Sequence, residues 1–442
     1  MIEEKEKQQM GRKHFLWIAI IVAIVLAAAL LLRFGLPAAS TTEHYNDETI
    51  AKAVEKYELK APPYDPVAHE DLKKTIKQDS RYELQQDGIY YAEDSDTSEA
   101  DASGDAVLMF TGDLMCQSRQ QEAACSNGEY DFTESFSEVR HILDDADLVV
   151  GNLETMLSDT SPYMSECDST EGKPYCNGPS TYLDALRYAG FDALINANNH
   201  DADCGVKGIY ETLNRLDEYD FAHTGTFGSG KEKRYIIMDV KGIKVGILAY
   251  ATYFNRKDKN FTEKGKDVLL NDYSKEKMAR DVRNARKDGA EYIVTYIHWG
   301  REHTNHEYDK QRNMAEEIAE TGVDYIIGSH PHALQRYDII ESSSGKSVPV
   351  VYSMGNFVSH MKKTVNKDTI ILRLNLCRED DGSVVLKNDE YIPCRIATKY
   401  KDKHYFITPV NRSYKDGALS DNDKAALSRI VSVMGTKLEC VY

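Results

Sequence analysis

Residues 323–332 read "VDYIIGSHPH", a short apolar run that ends at once in a serine and two histidines separated by a proline. A run this short and rich in isoleucine and tyrosine reads as a buried strand followed by a polar loop. Were the loop strictly extended, His330 and His332 would point to the same side. Pro331 restricts the backbone between them, so the stretch reads as a fixed loop presenting two imidazoles.

The same figure recurs along the chain. "AVLMFTGD", "DLVVGNLE", "DALINAN", "EYIVTYIHWG" and "PVVYSMGNF" are further apolar runs that stop in polar residues. Between them, "STYLDALRYAG", "GIYETLNRLDEY", "SKEKMARDVRNARKDG" and "QRNMAEEIAETG" carry helical spacing, and Gly289 and Gly322 are placed to stop two of these helices. Alternation of this kind predicts an α/β sheet with helices over its faces. "RYIIMDVKGIKVGILAYATY" predicts a hairpin turning at Lys241-Gly242, "TIILRLNLC" and "SVVLKNDEYIPCRI" predict another, and "DNDKAALSRIVSVMG" predicts a late helix.

Ligands of open α/β sheets gather beyond the carboxyl ends of the strands. There the chain places Asp113, then Asn152 and Glu154, then Asn199 and His200, then His298 with Glu302, then His330 and His332, then Asn356. All are residue types that bind metal or move protons. Imidazole, carboxylate and amide oxygen together suit Mn, Zn or Fe, one ion or two, and are not the all-oxygen set of calcium. Each residue also has an ordinary reading: Asp113 as a helix cap, Asn199 or Asn356 as a turn residue, Glu154 or Glu302 as a solvated carboxylate, His298 as a core histidine beside Trp299.

Ahead of this region, Phe15 to Leu32 is apolar, with Arg12 and Lys13 before it and Arg33 after it. As a helix it would span roughly 27 Å, near the thickness of bilayer hydrocarbon. A cleaved signal peptide is the competing reading, but its apolar core is shorter. The basic head favours a cytoplasmic N-terminus. The expectation is a single-pass cell-membrane protein: head 1–14, anchor 15–34, stalk or linker 35–104, an extracellular catalytic-type domain 105–365, and a C-terminal hairpin and tail 366–442. Within the stalk, "DETIAKAVEKYELK" has helical character and the acidic run ending at Gly104 reads as a flexible linker.

The formal net charge of −18 falls almost wholly on the external part and argues against nucleic acid as a partner, which clustered Lys and Arg would hold. The islands "RKDKNFTEKGK" and "MKKTVNK" suit an anionic polymer, or are simply solvated loops. Outside the cell the eight cysteines can form disulfides, with Cys116–Cys125, Cys167–Cys176 and Cys377–Cys394 near enough in sequence to pair locally and Cys204 and Cys440 left over.

The motifs "FTGDLM", "VVGNLET", "INANNHDADCG", "IHWGRE", "IIGSHPHALQ" and "YSMGNFVS", in this order, resemble those of the calcineurin-like metallophosphoesterases. They are most similar to those of the CapA/PgsA-type capsule proteins, linked to bacterial poly-γ-glutamate synthesis. The resemblance implies a calcineurin-like metallophosphoesterase sandwich, β-sheets flanked by helices, behind an N-terminal transmembrane helix. It implies Asp113 and His332 as ligands of a first metal, Glu154 near the bridging position, and Asn199, His298 and His330 as ligands of a second. His200 would be an acid or hydrogen-bond donor off the metal, with Glu302 a further catalytic candidate and Asn152 and Asn356 candidate substrate contacts. Asp201 and Asp203 are candidates to orient His200.

There is a departure: the family's Asp-x-His pattern would put a histidine where this chain has Met115, and "GNLE" stands where a "GD" motif is expected. One metal position is therefore a ligand short. The function implied is a metal-dependent hydrolase or transferase of capsule production, alongside other capsule synthase subunits. The alternatives are a non-catalytic subunit that binds or exports the polymer, and a phosphoesterase.

Overall fold

The computed structural model describes residues 44–62, 67, 69, 79–92, 105–167, 175–399, 404–415 and 417–441. Residues 1–34, read as head and anchor, and the acidic run 93–104 lie outside these. Among the described residues no helix is long and apolar enough to cross a membrane.

The six apolar runs form the strands Ala106–Leu114, Leu148–Leu153, Ala193–Ile195, Tyr292–His298, Tyr325–Ser329 and Ser347–Met354. The helical stretches form Tyr182–Ala189, Gly205–Glu218, Lys275–Lys287 and Asp309–Ala319, with Ser274 capping Lys275–Lys287 through the Lys277 N–H. Gly289 and Gly322 follow two of them at φ 107° and 95°. In the central hairpin, Ile236–Val240 pairs antiparallel with Ile243–Ala251. Lys241 and Gly242 both take positive φ, as a tight two-residue turn requires.

Two large sheets result. In one, Ile243–Ala251, Tyr292–His298, Tyr325–Ser329 and Ser347–Met354 run parallel, with antiparallel neighbours outside them. In the other, Ala106–Leu114, Leu148–Leu153, Ala193–Ile195 and Ala222–Thr224 run parallel, continued by the antiparallel strands Asp368–Arg378 and Val384–Thr398. Alternation along the strands sorts the core into layers. Leu108, Phe110, Leu148 and Val150 share one buried cluster with Val245, Ile247, Val294 and Ile327 of the other sheet. Met109, Val149 and Leu194 instead pack with Leu183 and Leu186 of the helix Tyr182–Ala189. Leu248, Ile293 and Ile326 pack with Met278, Val282 and Ile318 of the other helical layer. The order is helix, sheet, sheet, helix, and the central strands Leu148–Leu153, Ala193–Ile195, Tyr292–His298 and Tyr325–Ser329 are buried on both faces.

Several segments depart from the sequence reading. Part of the presumed stalk belongs to the fold: Tyr82–Leu84 and Tyr90–Ala92 extend the first sheet, and the helix Asp47–Tyr57 packs Ile50, Ala53 and Tyr57 among Ile209 and Leu213. The C-terminal hairpin is likewise continuous with the second sheet, with Leu372 opposite Phe110.

The three local disulfides are not formed, and strand register keeps one of the pairs apart. Cys394 lies opposite Thr369 and Cys377 opposite Val385, so the two cysteines stand eight residues apart along the hairpin, roughly 26 Å at about 3.3 Å per residue. Cys116 is buried while Cys125 is exposed. The Cys176 thiol donates to the Glu154 carbonyl at 3.2 Å, and Cys167 to that of Tyr163 at 3.5 Å.

Candidate metal centre

The carboxyl ends of the parallel strands of both sheets meet at one edge, and the polar residues that follow them converge there. Asp113, Glu154 and His298 are fully buried, Asn199 is 1% exposed, and His330 and His332 are 2% exposed. Asp113 is in register with Asn152 on one side and Asn356 on the other.

Three ligand groups overlap: Glu154 with His298 and His330, Asp113 with Glu154 and His332, and Glu302 with His330 and His332. Around His298 Nε2, Asn199 Oδ1 lies at 2.8 Å, His330 Nδ1 at 3.1 Å and Glu154 Oε1 at 3.6 Å. His332 Nε2 lies 3.7 Å from the same Glu154 oxygen. Ligands of one ion at about 2.0–2.2 Å from it stand roughly 3–3.5 Å from one another, so these separations suit a shared cation.

The outer partners leave the correct nitrogens available. His298 Nδ1 lies 2.9 Å from Ser329 Oγ, a hydroxyl able to accept its proton. His332 Nδ1 has two acceptors, Asn356 Oδ1 at 2.9 Å and Asp113 Oδ2 at 3.2 Å. A proton on each Nδ1 leaves each Nε2 lone pair turned toward Glu154.

The electrostatics point the same way. Both oxygens of Glu154 are buried with no hydrogen-bond partner among the described residues. Burial, then the charges of Asp113 and Glu302, push its carboxyl well above the usual range. A carboxylate in such a place is ionised only beside a cation. Burial, then His330, His332 and His200, hold His298 well below the ordinary imidazole value, and burial, then His332, His200 and His303, do the same to His330. Neutral imidazoles crowded round a buried carboxylate are a ligand set that a divalent ion fits.

His200 stands at the rim. Its Nε2 is 4.0 Å from Glu154 Oε1, and its Nδ1 is 2.8 Å from Asp203 Oδ2. Asp203 also accepts from the Cys176 N–H at 2.8 Å and from Lys257 Nζ at 2.7 Å. Burial alone would raise the Asp203 carboxyl, but His200 and Lys257 outweigh it and hold it below its ordinary value. Asp201 instead accepts from the Asn198 N–H at 2.8 Å, so of the two aspartates only Asp203 orients the histidine.

Two expected substrate contacts are placed differently. Asn152 is fully buried and donates to Asp113 Oδ1 at 2.8 Å. Asn356, also fully buried, accepts from His332 and donates to the Asn366 carbonyl at 3.1 Å. Their amides hold the ligands. Glu302 is exposed, on the solvent side of the two histidines.

The histidine loop is not extended: His330 and His332 take φ 95° and 53°, a costly conformation for residues with a Cβ. Their rings still end 5.9 Å apart in the one site. Sequence reasoning passed over Tyr253, whose hydroxyl abuts the nitrogen edge of the His330 ring, 3.0 Å from Nδ1. The signal was present, since Tyr253 follows the strand Ile243–Ala251 as the other site residues follow theirs. Lys257, inside a basic island, was readable only as a solvated or polymer-binding charge.

Fold and site together define a mixed α/β protein whose carboxylates and imidazoles cluster as groups that could hold divalent metal at the carboxyl edge of two stacked sheets. The chain belongs to the bacterial capsule synthesis protein PGA_cap family, whose family model matches residues 107–361. It is similar to the capsule biosynthesis protein CapA of Bacillus anthracis, 27% identical over 71% of this chain and 74% of that one. It is also similar to the PGA biosynthesis protein CapA of Bacillus subtilis (strain 168), 25% identical over 66% of this chain and 74% of that one. Among solved structures, the calcineurin-like phosphoesterase YfkN of Bacillus subtilis covers 75% of this chain and 97% of its own at 14% identity, with a TM-score of 0.39. A phosphatase of Mycoplasma pneumoniae covers 66% and 94% at 11% identity, with a TM-score of 0.38. At such scores the likeness is slight.

Proposed function

We propose that this protein is a metal-dependent hydrolase or transferase of capsule biosynthesis, acting on an anionic polymer such as poly-γ-glutamate. The same reading holds it in the cell membrane by residues 15–34, with its domain outside, beside other capsule synthase subunits. The observation that carries the chemistry is Glu154, a buried carboxylate without a hydrogen-bond partner among the described residues, faced by the Nε2 atoms of His298 and His332.

Asp113, Glu154 and His332 would hold one ion and Glu154, Asn199, His298 and His330 a second, the ion being Mn, Zn or Fe. Bound there, a divalent ion supplies Lewis acidity and a water acidified toward neutral pH. The chain's own residues do the rest. Asp203 accepts the Nδ1 proton of His200 and so turns Nε2 toward the pocket, where a protonated Nε2 donates to the leaving nitrogen or oxygen. Lys257 holds Asp203 ionised from its far side. Tyr253, beside His330, offers a hydroxyl to a developing negative charge.

The test is elemental analysis of the full chain purified without chelator, followed by release of new amine ends from poly-γ-glutamate. At least one equivalent of divalent metal, lost in His330→Ala/His332→Ala, is the expected result. Polymer cleavage that His200→Ala abolishes while keeping the metal would support the catalytic assignment. No metal after reloading with Zn and Mn would sink the reading in favour of a polymer-binding subunit.

A further inference from the structure

Met115 stands where a histidine ligand is expected, and its side chain is buried at 2% exposure. Its thioether is a poor partner for a hard ion. The position held by Asp113, Glu154 and His332 thus has three protein ligands, where four-fold or higher coordination is usual.

The opposite sheet supplies a further carboxylate, beside His330 and His332. After the strand Tyr292–His298 the chain turns at Gly300, φ 98°, where a Cβ would meet the Gln311 side chain at 2.9 Å. It turns again at His303, φ 67°. The His303 N–H donates to the Pro331 carbonyl at 2.7 Å, tying this loop to the turn that carries His330 and His332. Glu302 sits between the two turns, and a carboxylate oxygen lies within 4.8 Å of ligand nitrogens of both histidines, which lie equally near each other. It is 43% exposed, and the nearest cation-forming group, His303 Nε2, is 3.7 Å from it.

We propose that Glu302 is a metal ligand, joining His330 and His332 from the solvent side, and is not a general acid or base. The assignment rests on the metal-centre reading above. It adds a carboxylate next to His332, the residue this ligand group shares with Asp113 and Glu154. It also places an exposed carboxylate on the solvent side of His330 and His332, so that a substrate entering there would meet Glu302.

The test is a Mn2+ titration of the full-length, metal-stripped protein, followed by electron paramagnetic resonance and by the metal-induced rise in melting temperature. In Glu302→Ala at least one ion is expected to bind about ten-fold or more weakly, with an altered spectrum. Glu302→Asp should recover part of the loss. Melting of the metal-free form should not move, because an exposed side chain contributes little to the fold. Wild-type affinity and spectrum in Glu302→Ala would overturn the assignment while leaving the metal centre standing. Absence of Mn2+ binding in the wild-type protein would overturn both, so the two failures are told apart.

Discussion

His200 and Asp203 face each other across 2.8 Å, imidazole Nδ1 to carboxylate, three residues apart in a loop that follows a buried strand. This pairing sets which ring nitrogen looks into the site. Asp203→Asn offers an amide that can present either a donor or an acceptor to Nδ1, so the tautomer is no longer fixed. Turnover is expected to fall about 10²-fold with metal content unchanged. Rate and bound metal measured on one preparation check this, and loss of metal together with rate would show that Asp203 acts on the metal centre instead.

Asn356 acts one shell further out, through His332. Its Oδ1 is 2.9 Å from His332 Nδ1 and its Nδ2 is 3.1 Å from the Asn366 carbonyl. Asn356→Ala removes the acceptor that fixes the ring. Metal affinity is expected to drop by about 10–100-fold. Competition with a chelator reads the change, and an unaltered affinity would return Asn356 to the role of a substrate contact.

His360 gives the fold a dependence on pH that is separate from the chemistry. Burial, then Arg119 and Lys362, bring it down to about 4, and its Nδ1 accepts the Arg119 N–H at 3.1 Å. The unfolded chain takes up this proton near pH 6.5 and the folded chain only near pH 4. The neutral imidazole therefore stabilises the fold fully above about pH 6.5, and that contribution is lost as pH falls toward 4. His360→Gln should remove about 1 kcal/mol of the stability difference between pH 7 and pH 5, measured by urea unfolding. An identical pH slope in the variant would show that other groups account for it.

Gly112 tests how closely the strands must approach beside Asp113. A Cβ there would lie 2.0 Å from the Gly355 carbonyl oxygen, which accepts the Asp113 N–H at 2.9 Å. Gly112→Ala has to part these backbones and should cost about 3 kcal/mol or more. Gly230→Ala is the control, since its Cβ would meet only Val268 at an ordinary 3.5 Å. Equal urea midpoints for the two variants would refute the packing argument.

The strands and their order as α/β elements were legible in the sequence because both-face burial leaves short apolar runs, and "VDYIIGSHPH" shows the strand and its two histidines in ten letters. Asp113, Glu154, Asn199, His298, His330 and His332 were legible as well, since each stands just beyond such a run. The assembly was not. Asp368–Arg378 reads alike as an appended hairpin or as a strand beside Ala106–Leu114, because partner and register depend on contacts remote in sequence. The same holds for Tyr82–Leu84, read as stalk, and for Cys377 and Cys394, near in sequence and held apart by strand register. Local pattern carries residue type and periodicity. That Asn356 supports His332, that Lys257 meets Asp203 and that Tyr253 meets His330 was decided only by tertiary packing, which brings the edges of two sheets together.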